Sequence, residues 1–376
     1  MFTPPFCPNE LCDHHQADQA QGRWFYRIGY HHSKAFGAVP RFRCRRCGIT
    51  FSRQTFRLDY YVKRPLSYRR IFEHLCSGSG VRSTARWLQV SHHAVSNRIG
   101  WLSRQALALQ AQLMHGLQLS EDLVADGFES FVCDQYQPNN IHLLVGSRSQ
   151  FLYCFNYAHL RRKGRMTDRQ KAERERRERR YIRERISITD AFVHIADEVE
   201  QLVSGRTGGP TTLFTDKKRE YLRVIGDSQG LHCYAQQGRF THKSISSHKP
   251  RTTSNPLFPV NYLDRQLRKD NANHVRQTVQ FSRSVGNCLE RIAVYQLYHN
   301  YLKPFRVDDS RLSGFTHAEM AGVRREEIER QMQGLFSWRK FFSHLSLSWS
   351  QLQVWARMVG PLQRWDGQYQ PGYVLT

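Results

Sequence analysis

Acid is what this chain has least of. Its 376 residues hold 32 Asp and Glu against 56 Lys and Arg, a formal net charge of +24. Such a surplus excludes an acid-rich surface made for cationic partners and points to a polyanion, nucleic acid above all. Long apolar runs are missing as well, and no stretch approaches the ~20 residues of a membrane span. The opening MFTPPFCPNELC lacks a basic region followed by an apolar core, so no secretory signal is read there. A disulfide framework is not expected either. Of nine cysteines, four cluster at metal-ligand spacing. Cys76, Cys133, Cys154, Cys233 and Cys288 lie scattered in mostly apolar surroundings, where they read as small buried hydrophobes. A cytoplasmic home without a membrane partner is the expectation. No internal repeat is found.

What is present suffices for two or three domains, since 40% of the residues are apolar. Residues 1–64 are short, turn-rich and basic, and residues 65–115 read as a run of short helices. From Leu123 the pattern turns to strands, LVADGFESFV, NIHLLV and QFLYCF, separated by turn signals as in a meander. The stretch 161–185 holds 13 Lys and Arg against 5 acids without an apolar stripe, as in a solvated helix or a disordered arm. ISITDAFVHIADEVEQLV follows as an amphipathic helix, TTLFTD as a short buried strand, and residues 257–302 as helix. The tail 309–376 carries four of the seven tryptophans and reads as helical. This order fits a mixed α/β sheet.

Cys7-x4-Cys12 and Cys44-x2-Cys47 have the spacing of a four-thiolate zinc site, each pair on a turn that aims two sulfurs at one metal. Gly48 lets the second knuckle curl, and the 31-residue gap fits a zinc ribbon with an expanded hairpin. Arg43, Arg45 and Arg46 would favour thiolates and face phosphate. His14 and His15 are rival ligands. In the next segment Ser91 is a good N-cap. Val95, Ile99 and Leu102 recur at helical spacing, so His92, His93, Ser96, Asn97 and Arg98 fall on the other face. That is the pattern of a recognition helix in a helix-turn-helix, with Ser91 and Arg82 as further DNA contacts. Trp87 and Trp101 are read as core.

Acids set among apolar residues stand out. Asp126 shares a strand face with Val124 and Phe128 and needs a cation or a hydrogen bond there. Asp216 closes TTLFTD, where ligands sit in open α/β sheets. Glu290 lies on NCLERIAVYQLYHNYL, with Asn287 and Arg283 at helical spacing before it. Two such Asp and a later Glu can converge on a pair of Mg²⁺ or Mn²⁺ ions. Asp264 and Glu319 are rivals for the third place, and Glu129 is a candidate helper. Lys243, Lys249 and Arg251, within THKSISSHKPR, are candidate phosphate contacts.

CPNELC…CRRCG, TARWLQVSHHAVSNRI, ADGFESF, LFTDKKREY and NCLERIAVYQLYHNYLKPFR occur in an order that resembles bacterial insertion-sequence transposases of the DDE type. The resemblance covers about residues 1–325, with 74 positions between Asp216 and Glu290 as a wide spacing. It implies a zinc ribbon (1–64), a helix-turn-helix domain (65–115), an RNase H-like catalytic domain (116–308) with a basic insertion at 161–185, and a C-terminal tail (309–376). Asp126, Asp216 and Glu290 would bind Mg²⁺ or Mn²⁺ and catalyse strand cleavage and strand transfer. Structural Zn²⁺, double-stranded transposon-end and target DNA, a homodimer or larger synaptic complex and a nucleoid location follow from it. A non-catalytic DNA-binding regulator and an RNase H-like nuclease that does not join ends are the alternative readings.

Overall fold

The computed structural model describes residues 2–340 apart from 10, 17–23, 61, 181–185, 207, 276–277 and 308–310. Residues 341–376, with three of the four tail tryptophans, lie outside the described residues.

After a short helix, α1 (Asp13–Gln16), an antiparallel sheet pairs β1 (Phe25–Ser33), β2 (Gly37–Cys44) and β3 (Thr50–Ser52) in that order. Strict alternation in β2 buries Phe42 and Cys44 and exposes Arg41 and Arg43. Trp24, Phe42, Phe51 and Phe56 form the small core beneath. A bulge between Arg27 and Tyr30 bends the hairpin, and Gly29 within it takes φ +103°.

Three helices follow: α2 (Tyr68–Cys76), α3 (Val81–Trp87) and α4 (His92–Met114). The hydroxyls of Ser67 and Ser91 accept the Arg70 and Ala94 amides and cap α2 and α4. The last helix is not short: it runs for 23 residues, about 34 Å at 1.5 Å per residue. Its periodicity passes through LSRQALALQ without a proline, so nothing stops it. Val95, Ile99 and Leu102 close the three-helix unit, and Leu107 and Ala108 enter the core of the following sheet.

That sheet has five strands: β4 (Leu123–Phe131), β5 (Pro138–Gly146), β6 (Leu152–His159), β7 (Thr211–Asp216) and β8 (Phe240–Ile245), in the order β6-β5-β4-β7-β8. The first three form the expected antiparallel meander, and β7 and β8 add in parallel. Parallel neighbours need crossovers. These are α5 (Asp168–Arg180) with α6 (Ile188–Ser204), then α7 (Arg219–Asp227) with α8 (Gln229–Gln236). Phe192, Ile195 and Val199 of α6 cover one sheet face, against Ala125, Leu144 and Leu213. On the other face α9 (Phe258–Asp270), α10 (Val285–Tyr301) and α4 pack on Val124, Phe128, Ile141 and Leu143. A mixed five-stranded sheet with helices on both faces is compatible with the RNase H-like arrangement expected. No helix of the described residues is long and apolar enough to cross a membrane.

The structure departs from the sequence reading at several points. FTHKSI, read as part of a phosphate-tracking stretch, is an edge strand, and its weak alternation reflects half-burial. The helix expected over 257–302 is two helices, parted by a segment with Asn271, Asn273 and His274 buried. Trp87, read as core, is 76% exposed because it ends α3 on its outer side. Cys233 is exposed on α8 and Cys133 half-buried, so neither is the buried hydrophobe expected.

Beyond α10 lie α11 (His317–Met320) and α12 (Arg325–Met332), and the chain then returns to its beginning. Trp338 stacks on Phe2 at 5.3 Å between ring centres. The Leu58 and Arg339 amides donate to the Ser337 and Phe56 carbonyls. Gln105 of α4 donates from Nε2 to the Leu335 and Trp338 carbonyls at 2.8 and 2.7 Å. This segment ties the small sheet to α4.

Candidate metal and nucleic-acid sites

The four N-terminal cysteines converge. Their ligand atoms lie within 4.8 Å of one another, with Cys7 Sγ 3.5 Å from Cys47 Sγ and Cys12 Sγ 3.8 Å from Cys44 Sγ. Local turns explain this: the Cys7 amide donates to the His14 carbonyl, and the Gly48 amide donates to Cys44, with Gly48 at φ +72°. A tetrahedral Zn²⁺ with bonds of about 2.3 Å has S–S edges of roughly 3.8 Å, so the group fits a structural metal. Burial works against the Cys47 thiolate, but hydrogen bonding from the Ile49 backbone and neighbouring groups brings it down to about 7. His15 places Nδ1 2.6 Å from the Cys7 carbonyl, and His14 lies by Trp24; neither joins the sulfurs. Among the described residues no other group of three His, Cys, Asp or Glu converges as closely.

At the start of α4, Ser91, His92, His93 and Asn97 are exposed, Ser96 is half-buried, and the two imidazoles lie 4.2 Å apart. Arg82 is exposed on α3. Arg98 is turned inward, against the surface placement expected of it. Its Nη2 donates to the Arg64 carbonyl at 3.2 Å, and its guanidinium lies 5.8 Å above the Tyr68 ring.

Asp126 and Asp216 come together. Ala125 of β4 pairs with Thr215 of parallel β7, so the residues that follow lie side by side at the point where β7 ends. Asp126 is 7% exposed, and Oδ1 accepts its neighbour Gly127 amide at 2.7 Å. Burial first, and the charge of Asp216 second, push its carboxyl up to about 6, although Arg251 and Lys218 pull the other way. Arg251 Nη1 stands 3.6 Å from Asp126 Oδ2 and also donates to Asn261. Asp264 on α9 is the third acid of this neighbourhood. Burial and Asp126 drive its carboxyl well up, opposed by Arg268 and Arg251. By sequence Asp264 is only a rival, yet Val260, Leu263 and Leu267 are buried around it, and helical spacing puts it on that apolar face.

Glu290 is 3% exposed on α10. Asn287 Nδ2 donates to its Oε2 at 3.4 Å, and Arg291 on the same helix feels its charge. Arg283 lies before that helix, where its carbonyl accepts the Cys133 thiol, so it shares no helical face with Glu290. Glu129 is exposed, and Glu319 caps α11 through Thr316 while pairing with Arg325. Lys243 is exposed on β8, and Lys249 in the loop after it.

Two groups beside the acids were not anticipated. Lys218 lies 5.1 Å above the Tyr221 ring, and the Tyr221 hydroxyl is pushed well up by burial and by the charges of Asp126 and Asp216. On the opposite side of β4, a Cβ on Gly127 would meet the Asn140 side chain at 2.1 Å, so only glycine allows that approach. The basic arm of 161–185 is helical over α5, and residues 181–185 lie outside the described residues. It docks on the β4–β5 turn, where Arg162 and Arg177 lie 4.6 and 5.0 Å from the Tyr136 ring. Glu173 pairs with Arg176 and Arg177 of the arm, and Glu178 with Arg161.

The chain matches no protein-family model and no curated protein.

Proposed function

We propose that this protein is a metal-dependent DNA transposase of the DDE type, which cuts at the ends of its own element and joins 3′-hydroxyls to target DNA. The observation that carries this reading is the Asp126–Asp216 pair. Two carboxylates on neighbouring parallel strands, one of them buried and pushed up to about 6, are an unstable arrangement without a cation. Hard oxygen donors suit Mg²⁺ or Mn²⁺, which would activate a water or a 3′-hydroxyl and stabilise the leaving oxygen. Asp126 and Asp216 would be the first two ligands. Asp264 would supply the third carboxylate in preference to Glu290, since the charge of Asp126 already acts on it. Arg251 would neutralise Asp126 until metal and DNA displace it.

The rest of the molecule suits the same work. The net charge of +24 favours DNA. The exposed start of α4 would read a groove, and zinc on the four cysteines would hold the ribbon. Because one helix carries both Asn97 and Leu107, end recognition and the catalytic sheet would move as one body. Two ends must meet, so a homodimer or larger assembly is expected.

The test is a cleavage and joining assay with Mg²⁺ on the DNA that flanks the gene. The wild type should nick and join, and Asp126→Asn and Asp216→Asn should bind the same DNA without cutting it. Active Asp126→Asn protein would sink the assignment. Comparison of Asp264→Asn with Glu290→Gln decides the third acid. Cutting without joining supports the nuclease reading, and binding without either reaction supports the regulator.

A further inference from the structure

The small N-terminal sheet has a hollow that its four cysteines do not explain, lined by Phe36 and Tyr60 as well as by polar groups. It holds about 320 Å³ and lies between the β1–β2 hairpin and the turn at Arg53–Phe56. His31, Arg41, Thr50 and Thr55 line it, with Gln54 at its floor. Pairing sets this chemistry on one face: Arg41 stands opposite Ser52, and Arg43 opposite Thr50. Arg41 and His31 are exposed, and the hollow is open to solvent on their side. Gln54 is only 8% exposed and closes the hollow from below.

Charge says what the hollow attracts. Between Trp24 and Leu58 the chain has eight Lys and Arg and not one Asp or Glu. The nearest acid, Asp59, is 6% exposed and accepts two hydrogen bonds from Arg57, at 2.7 and 3.0 Å. Its charge is therefore spent within the fold. The hollow thus offers a guanidinium, an imidazole and hydroxyl donors to an anion.

We propose that this face of the ribbon binds the sugar-phosphate backbone of DNA, with Arg41 on a phosphate, as a contact separate from the start of α4. The proposal rests on the DNA-binding reading above. Phosphate contacts of this kind give affinity and register without sequence choice. The hollow lies on the sheet that the Leu335–Arg339 segment ties to α4, so a backbone contact here would fix where the recognition helix sits along the duplex.

Arg41→Ala and His31→Ala, made in the full-length chain, test this by fluorescence anisotropy on a 30-bp random duplex at several salt concentrations. Zinc content and circular dichroism check the fold. Arg41→Ala should weaken binding about tenfold on every duplex. It should also lower the slope of log affinity against log salt by about one. Asn97→Ala should leave that slope unchanged. A folded, zinc-loaded Arg41→Ala protein with wild-type affinity and slope overturns the proposal and leaves the DNA reading intact. A wild type that binds no duplex overturns both. Loss of binding on one sequence only would make Arg41 a base reader and also overturn it.

Discussion

Asp126→Asn should stabilise this protein when no divalent metal is present. Burial and Asp216 raise the Asp126 carboxyl from an ordinary 3.8 to about 6, even with Arg251 and Lys218 nearby. In the unfolded chain those neighbours are gone. The stabilisation owed to the protonated form is therefore fully present below about pH 4 and is lost as pH rises through about 6. Two units correspond to roughly 3 kcal/mol, so the ionised carboxylate opposes folding by about that much at pH 7.5. Asparagine cannot ionise and keeps the shape. The variant should gain up to ~3 kcal/mol over wild type at pH 7.5 in EDTA, with the difference closing towards pH 4. Divalent metal should reverse the order, because a cation bound between Asp126 and Asp216 stabilises only the folded state. The assay is thermal and urea melting from pH 4 to 8, in EDTA and in Mn²⁺. A variant that melts below wild type in EDTA at pH 7.5 would refute the reasoning. So would Mn²⁺ raising both proteins equally.

Cys44→Ser should lose zinc, read by metal analysis, and should leave the N-terminal sheet open to protease while the five-stranded domain stays folded. Arg98→Ala should lower stability by about 1–3 kcal/mol in melting experiments, since it leaves the Arg64 carbonyl unpaired. Asn97→Ala, at an exposed position, should leave the melt unchanged and alter sequence preference in a binding-site selection. Trp338→Ala should free the ribbon from α4 by removing the stack on Phe2, at a cost of roughly 1–2 kcal/mol, seen as faster hydrogen exchange in the Phe51–Leu58 segment.

What the sequence disclosed follows the range of the forces involved. The knuckles at Cys7–Cys12 and Cys44–Cys47 were legible because each is a turn with its ligands a few residues apart. So were the meander β4–β6, whose alternation is local, and the cap at Ser91. Partners distant along the chain were not legible. Arg98 has helical spacing suited to a groove, but the Arg64 carbonyl 34 positions earlier takes its guanidinium. Trp87 has the composition of a core residue, yet among the described residues it stays 76% exposed at the end of α3. The segment around Trp338 returns to Phe2, and no pattern in either segment announces the other.

The third acid shows the same limit most sharply. Glu290 was preferred because an acid on an apolar helix is conspicuous, and α10 is the more apolar helix. Burial alone does not select a ligand, since Glu290 is 3% exposed and Asp264, half-buried as a residue, has its Oδ1 covered as well. What separates them is electrostatic company. The carboxylate of Glu290 accepts from Asn287 on its own helix, and Arg291 lies within range of its charge, so its burial is partly compensated. Asp264 faces Asp126, with Arg268, Arg251 and Lys218 set against the two, and its Oδ1 has no hydrogen-bond partner. A buried acid that faces another acid must be protonated or hold a cation, and protonation on both would leave Asp216 nothing to share. Metal binding resolves all three charges at once. Asp264→Asn should therefore lower Mn²⁺ affinity measured by calorimetry at least tenfold, while Glu290→Gln should leave it within about twofold and lower the melting temperature instead. The reverse pattern would restore Glu290 as the ligand and make Asp264 a structural acid.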